Sequence, residues 1–75
     1  MKCYKIRKKK EFLGKHDLEF NPEGWWCSGK GRDIWHSLKA TKGAIKTSYI
    51  PYNDTINMYE IVEYDMNEVD TIEFL

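Results

Sequence analysis

From residue 24 to residue 32 the chain reads Gly-Trp-Trp-Cys-Ser-Gly-Lys-Gly-Arg, two adjacent indoles set among three glycines and two cations. Flat rings stack on bases or fill a partner's pocket, cations pair with phosphate or carboxylate, and glycine lets a ligand come close to backbone N–H groups. Trp35 and His36 follow, and then Lys39, Lys42 and Lys46, whose i, i+3, i+7 spacing puts them along one face of a helix. Trp25, Trp26, Lys30, Arg32, Trp35, His36, Lys39 and Lys42 are therefore the candidate binding residues. A plainer reading stands beside this one: one tryptophan plugs the core, the other packs on the sheet edge, and the lysines are the solvated side of an amphipathic helix.

Other chemistries find less support in the spacing. Gly29-Lys30-Gly31-Arg32 lacks the full pattern of a phosphate-binding loop after a strand. Cys27 and His36 would make a nucleophile and a base, but no third orienting residue and no oxyanion loop accompany them, so no catalysis is expected. Cys3, His16, Cys27 and His36 are zinc-type ligands, yet none forms the short paired spacing that clamps a metal, and neither a metal nor another cofactor is expected. Asp54, in Tyr52-Asn53-Asp54, reads as turn chemistry with no second carboxylate nearby for acid–base work.

What positions the candidate residues is a chain of 75 residues, one domain spanning 1–75, with a thin core. Aromatics make up 15% of it, so rings must do much of the burying and any ring is as good a core candidate as a contact. The formal charge is zero, but Lys2, Lys5, Arg7, Lys8, Lys9, Lys10 and Lys15 crowd the start while Glu60, Glu63, Asp65, Glu68, Asp70 and Glu73 crowd the end. The two ends are expected to be neighbours whose charges compensate. No apolar run approaches a membrane span, and the basic start lacks the apolar stretch of a secretory signal. The expectation is a cytoplasmic protein with reduced thiols.

The alternation of Tyr4 and Ile6 with Cys3, Lys5 and Arg7 predicts a strand over residues 2–8. Lys8-Lys9-Lys10-Glu11 reads as a solvated bend, and residues 15–31 as a long irregular excursion holding at most a short strand at 16–20, with a turn at Asn21-Pro22-Glu23-Gly24. A loop of that length in so small a domain points to function. Ile34, Leu38, Thr41, Ile45 and Tyr49 have the spacing of one helix face. Asp33 is one possible cap; the favoured reading makes Ser37 the cap after a short strand at 33–36, with Pro51 ending the helix. A strand at 58–66 and another at 70–74, turning at Asn67-Glu68, complete the set. Pairing of 2–8 with 58–66 would set Lys5 and Arg7 against Glu63 and Asp65, with Tyr4, Ile6, Val62 and Tyr64 under the helix. The fold class is α+β, a small antiparallel sheet of three to four strands with one α-helix packed on one face.

The initial Lys-Ile-Arg strand, the glycine- and lysine-containing loop leading into Ile34-Trp35-His36-Ser37-Leu38, the lysine-bearing helix and the Tyr59-Glu60-Ile61-Val62-Glu63-Tyr64 strand together resemble small uncharacterised accessory proteins of tailed bacteriophages. The resemblance implies a protein acting in the cytoplasm of a bacterial host, a defence system being one target. The expected activity is non-enzymatic: an inhibitor that docks on a host protein through an aromatic and basic loop. A protein that sequesters a nucleotide or nucleic acid is the alternative, and a mimic in which the six C-terminal carboxylates imitate nucleic acid is a second. Self-association is a further expectation, because a strand edge must end the sheet.

Overall fold

The computed structural model describes residues 2–46, 54–65 and 67–74. Strand β1 (Cys3–Lys8) follows from its alternation: Ile6 is fully buried on one face, while Cys3, Lys5 and Arg7 take the other. It pairs antiparallel with β3 (Tyr59–Asp65), Ile6 opposite Ile61 and Arg7 opposite Glu60, and β3 pairs antiparallel with β4 (Asn67–Glu73) through a register shift at Glu63 and Tyr64. A two-residue strand, β2 (Trp25–Trp26), lies on the other side of β1, giving the order β2-β1-β3-β4. Helix α2 (Leu38–Lys46) packs against β1. This is the expected α+β architecture, a four-stranded antiparallel sheet with one main helix. Ile6, Trp26, Trp35, Ile45, Tyr59, Ile61 and Phe74 form the core, with Tyr4, Leu38 and Ile72 packed against it.

The ends compensate each other, but in a different register from the one expected. Arg7 meets Glu60 and Glu68, Lys2 meets Glu63, and Lys9 meets Glu73. Because Lys5 stands opposite Val62 and Cys3 opposite Tyr64, Val62 and Tyr64 share the face away from Ile6, and Tyr59 and Ile61 are the β3 residues that enter the core with it. Alternation fixes which residues of a strand share a face, but not which face turns inward.

The 15–31 segment is more ordered than its composition suggests. Residues 15–20 form a helix, α1 (Lys15–Phe20), where a short strand was expected. Its start is held by the Asp17 carboxylate, which accepts from the Gly14 N–H at 3.0 Å, the reach-back of an acidic residue in a helix's first turn. The Asn21–Gly24 turn is present, closed by Gly24 N–H donating to Asn21 C=O at 2.9 Å. Gly24 sits at φ +76°, where a Cβ would lie 2.9 Å from the Lys8 carbonyl oxygen. Beyond it the chain is laced along the outer edge of β1: Lys8 N–H donates to Gly24 C=O, Trp25 and Trp26 pair with Arg7 and Ile6, and Trp35 exchanges two hydrogen bonds with Tyr4. The excursion is thus a strap that covers a sheet edge.

Helix α2 begins after Ser37, as expected, with the Ser37 hydroxyl accepting from the Ala40 N–H at 3.1 Å. Thr41 and Ile45 are its buried residues, whereas Ile34 lies outside the helix and is exposed. Tyr49, Pro51, the Tyr52-Asn53 part of the turn before Asp54, and Met66 lie outside the described residues.

Candidate functional site

The two adjacent tryptophans do not form one surface. As neighbours in a strand they point to opposite faces. Trp26 is 8% exposed and Trp35 4%, and the two rings stack in the core with centroids 6.2 Å apart. The expectation of an outward-facing indole pair therefore does not hold. A domain with few aliphatic residues recruits both rings to fill its centre.

Trp25 lies on the sheet face that α2 does not cover. Its Nε1–H donates to Glu23 at 2.9 Å, the Lys5 ammonium sits 4.3 Å from its ring centroid, and the Tyr64 ring lies tilted beside it with centroids 6.3 Å apart. Arg7, 5.8 Å from the same ring, is held by Glu60 at 2.7 Å and Glu68 at 3.3 Å. Val62 belongs to this face and is fully buried, in keeping with cover from these side chains. Burial, with the nearby Glu68 carboxylate, raises the Tyr64 pKa.

The remaining candidates lie in the Ser28–Arg32 turn, in the residues that follow it and on α2. Ser28 to Arg32 is a closed turn: Ser28 N–H donates to Arg32 C=O at 2.8 Å, Gly31 N–H to Ser28 C=O at 2.8 Å, and Arg32 N–H to the Ser28 hydroxyl at 3.1 Å. Gly31 takes φ +82° there, and Lys30 and Arg32 project as exposed side chains. Arg32 is fixed by donating from Nε to the Ile34 carbonyl at 2.9 Å, which leaves its guanidinium 5.9 Å from the Trp35 ring. His36 is exposed next to it. On α2, Lys39 and Lys46 are exposed and Lys42 half-buried, and together with Leu38 and Gly43 they line a surface groove of about 570 Å³.

Ion pairing separates the cations of β1 and its flanks from those of the turn and α2. Lys2, Arg7, Lys8 and Lys9, all in or beside β1, make ion pairs. Among the described residues no carboxylate pairs with Lys30, Arg32, Lys39, Lys42 or Lys46. These five cations share residues 24–53 with a single acid, Asp33. A neutral chain thus carries a set of cations without carboxylate partners among its described residues.

A cavity of about 330 Å³ brings Lys8, Asp17, Asp54 and Tyr59 together beside Trp25 and Trp26, a grouping that the sequence does not signal. Lys8 bridges Asp17 at 3.4 Å and Asp54 at 3.2 Å, and the Tyr59 hydroxyl donates to Asp54 at 2.8 Å. Burial, reinforced by Asp54, pushes the Tyr59 pKa well up. The Gly14 N–H chiefly, and Lys8, hold the Asp17 carboxyl below its ordinary range. This network ties α1 and the segment before β3 to the end of β1.

No hydrogen bond joins Cys27 to His36, and both cysteines are free thiols. Among the described residues no group of three His, Cys, Asp or Glu side chains is placed to hold a metal, and no helix is long and apolar enough to cross a membrane. Comparison with protein-family models, curated proteins and solved structures finds no match to this chain.

Proposed function

We propose that the protein is a non-enzymatic binding module that docks on the acidic surface of a partner protein through the side built by the Ser28–Arg32 turn and α2. The observation that carries this reading is the unequal compensation of charge. Lys2, Arg7, Lys8 and Lys9, in or beside β1, are matched by carboxylates and Lys5 lies over the Trp25 ring, whereas Lys30, Arg32, Lys39, Lys42 and Lys46 have no carboxylate partner among the described residues. Such a patch steers an oppositely charged partner and fixes its register. Likeness to accessory proteins of tailed phages gives the setting: the cytoplasm of a bacterial host, where occupying a host factor, a defence component among them, inhibits it without chemistry.

A second reading, binding of nucleic acid along the lysine stripe, is favoured by the spacing of Lys39, Lys42 and Lys46. It draws less support because the stacking platform it needs is missing: Trp26 and Trp35 are core, and Lys5 caps Trp25. The acidic mimic draws less still, since Glu60, Glu63, Glu68 and Glu73 are engaged by Arg7, Lys2 and Lys9. Pairing of two copies through β4 would set Glu68, Asp70 and Glu73 beside their own kind, which opposes it.

The test is affinity capture from nuclease-treated bacterial lysate, using the wild type and a Lys30→Glu, Lys39→Glu variant whose changes fall on exposed side chains. A specific protein should be retained by the wild type, released by raised salt and lost with the variant. Identical captures by both proteins, or retention only while nucleic acid is intact, would reject the proposal.

A further inference from the structure

Gly43 stands in the middle of α2, where glycine is the least favourable residue after proline. Two demands ordinarily justify such a choice, a positive φ or a neighbour too close for a side chain. Among the described residues neither applies: the positive-φ glycines are Gly24 and Gly31, and a Cβ built on Gly43 meets no atom within 4 Å. The space above it is the groove whose other walls are Leu38, Lys39, Lys42 and Lys46.

We infer that this groove receives an acidic amphipathic helix of the partner protein, its backbone crossing α2 at Gly43. The inference rests on the proposed docking of an acidic partner and names its seat. A residue without a side chain at the crossing point lets two helices approach closely, and ridge-into-groove packing needs such a depression. Leu38 supplies apolar contact beside it. The lysine stems lie over that apolar ground and carry their ammonium groups to the rim. Lys39 to Lys46 covers about 10 Å of helix axis at about 1.5 Å per residue, so glutamates spaced three or four residues apart on the partner meet the same rise. The result is a small, largely apolar centre within a charged rim, the anatomy of a protein interface. A phosphodiester strand would use the lysines, but it has no need of the vacant glycine position or of Leu38.

The experiment is amide-resolved NMR titration of the full chain with three probes: a synthetic helical peptide with glutamates on one face and alanine and leucine at its centre, its scrambled isomer, and single-stranded oligothymidylate. The helical peptide should shift Leu38, Lys39, Lys42, Gly43 and Lys46 and bind about tenfold or more tightly than the scrambled isomer. Gly43→Gln fills the groove with a better helix former, so it should melt at higher temperature and yet bind the peptide about tenfold more weakly. Undiminished binding by Gly43→Gln overturns the groove. If Lys39→Gln, Lys46→Gln still weakens binding in that case, the acidic-partner reading survives it; if neither variant weakens binding, both fall. Shifts at these residues with oligothymidylate and none with the peptide, or none with any probe, likewise overturn the inference.

Discussion

Replacing each of the two adjacent tryptophans in turn separates the two faces of the sheet. Trp26 is core, stacked on Trp35, and truncating a buried tryptophan to alanine costs about 3–5 kcal/mol. A chain of 75 residues has in total only about 4–11 kcal/mol to lose, so Trp26→Ala should unfold at a much lower urea concentration than the wild type. Trp25 is half-buried and loses a cation–π contact of about 0.5–1 kcal/mol plus part of the cover over Val62, so Trp25→Ala should cost about 1–2 kcal/mol. Urea unfolding followed by far-ultraviolet circular dichroism reads the difference without depending on the indoles. With a slope of about 1 kcal/mol/M for a domain of this size, the midpoints of the two alanine variants should differ by about 2 M. Equal midpoints, or a greater loss at Trp25, would refute the assignment of opposite faces.

Gly24→Ala and Gly31→Ala both force a side chain onto positive φ, at about 1–2 kcal/mol each, but only Gly24 also drives its Cβ against the Lys8 carbonyl; thermal melts should therefore rank Gly24→Ala clearly below Gly31→Ala, and the reverse order would contradict the turn geometry. Asp17→Ala removes the acceptor for Gly14 N–H and a partner of Lys8, and should lower stability by about 1 kcal/mol. Because its folded pKa lies below the ordinary 3.8, that contribution is present above the ordinary value and disappears as pH falls through the folded one; hydrogen exchange at residues 15–20 should accelerate on acidification in the wild type, and the variant should lack that step. Tyr59 has its pKa raised from 10.0 by burial and then by Asp54, so its contribution is complete below pH 10 and declines as pH climbs toward the folded value. Alkaline melts should show this loss in the wild type and less of it in Tyr59→Phe.

Elements with a clear period were legible. The alternation at residues 2–8 and 58–66 and the spacing of Leu38, Thr41 and Ile45 correspond to β1, β3 and α2, and Ser37 caps where its hydroxyl suggested. Six residues are too few for a period, so α1 had only one sequence signal, Asp17 three positions after Gly14. Face choice was equally hidden. Val62 and Ile61 are both apolar and both fully buried, so their burial gives no preference, and only the pairing of Ile6 with Ile61 settles which one meets the helix. In the candidate site, Lys30, Arg32, His36 and Lys39 are exposed as a binding residue should be, whereas Trp26 and Trp35 are not. An indole's chemistry is the same in a core and at an interface, and only the count of competing aliphatic residues separates the cases.

That count also explains why the weight of the functional reading moves from the rings to the lysines. In a chain this short each buried side chain covers a large share of the core, and rings covering on the order of 150–250 Å² apiece are drawn inward first. Cations face no such demand. Their placement is governed by the nearest carboxylate, and here the carboxylates gather on β3 and β4, beside the lysines and arginine of β1. Pairing with β1 and its flanks engages Glu60, Glu63, Glu68 and Glu73, while the cations of the Ser28–Arg32 turn and α2 have no carboxylate partner among the described residues. Neutrality of the whole chain is therefore compatible with an uneven distribution of paired and unpaired charge, and α2, whose lysines have no carboxylate partner among the described residues, also carries Gly43, where a Cβ would meet no atom within 4 Å. Two independent features, one electrostatic and one steric, converge on α2.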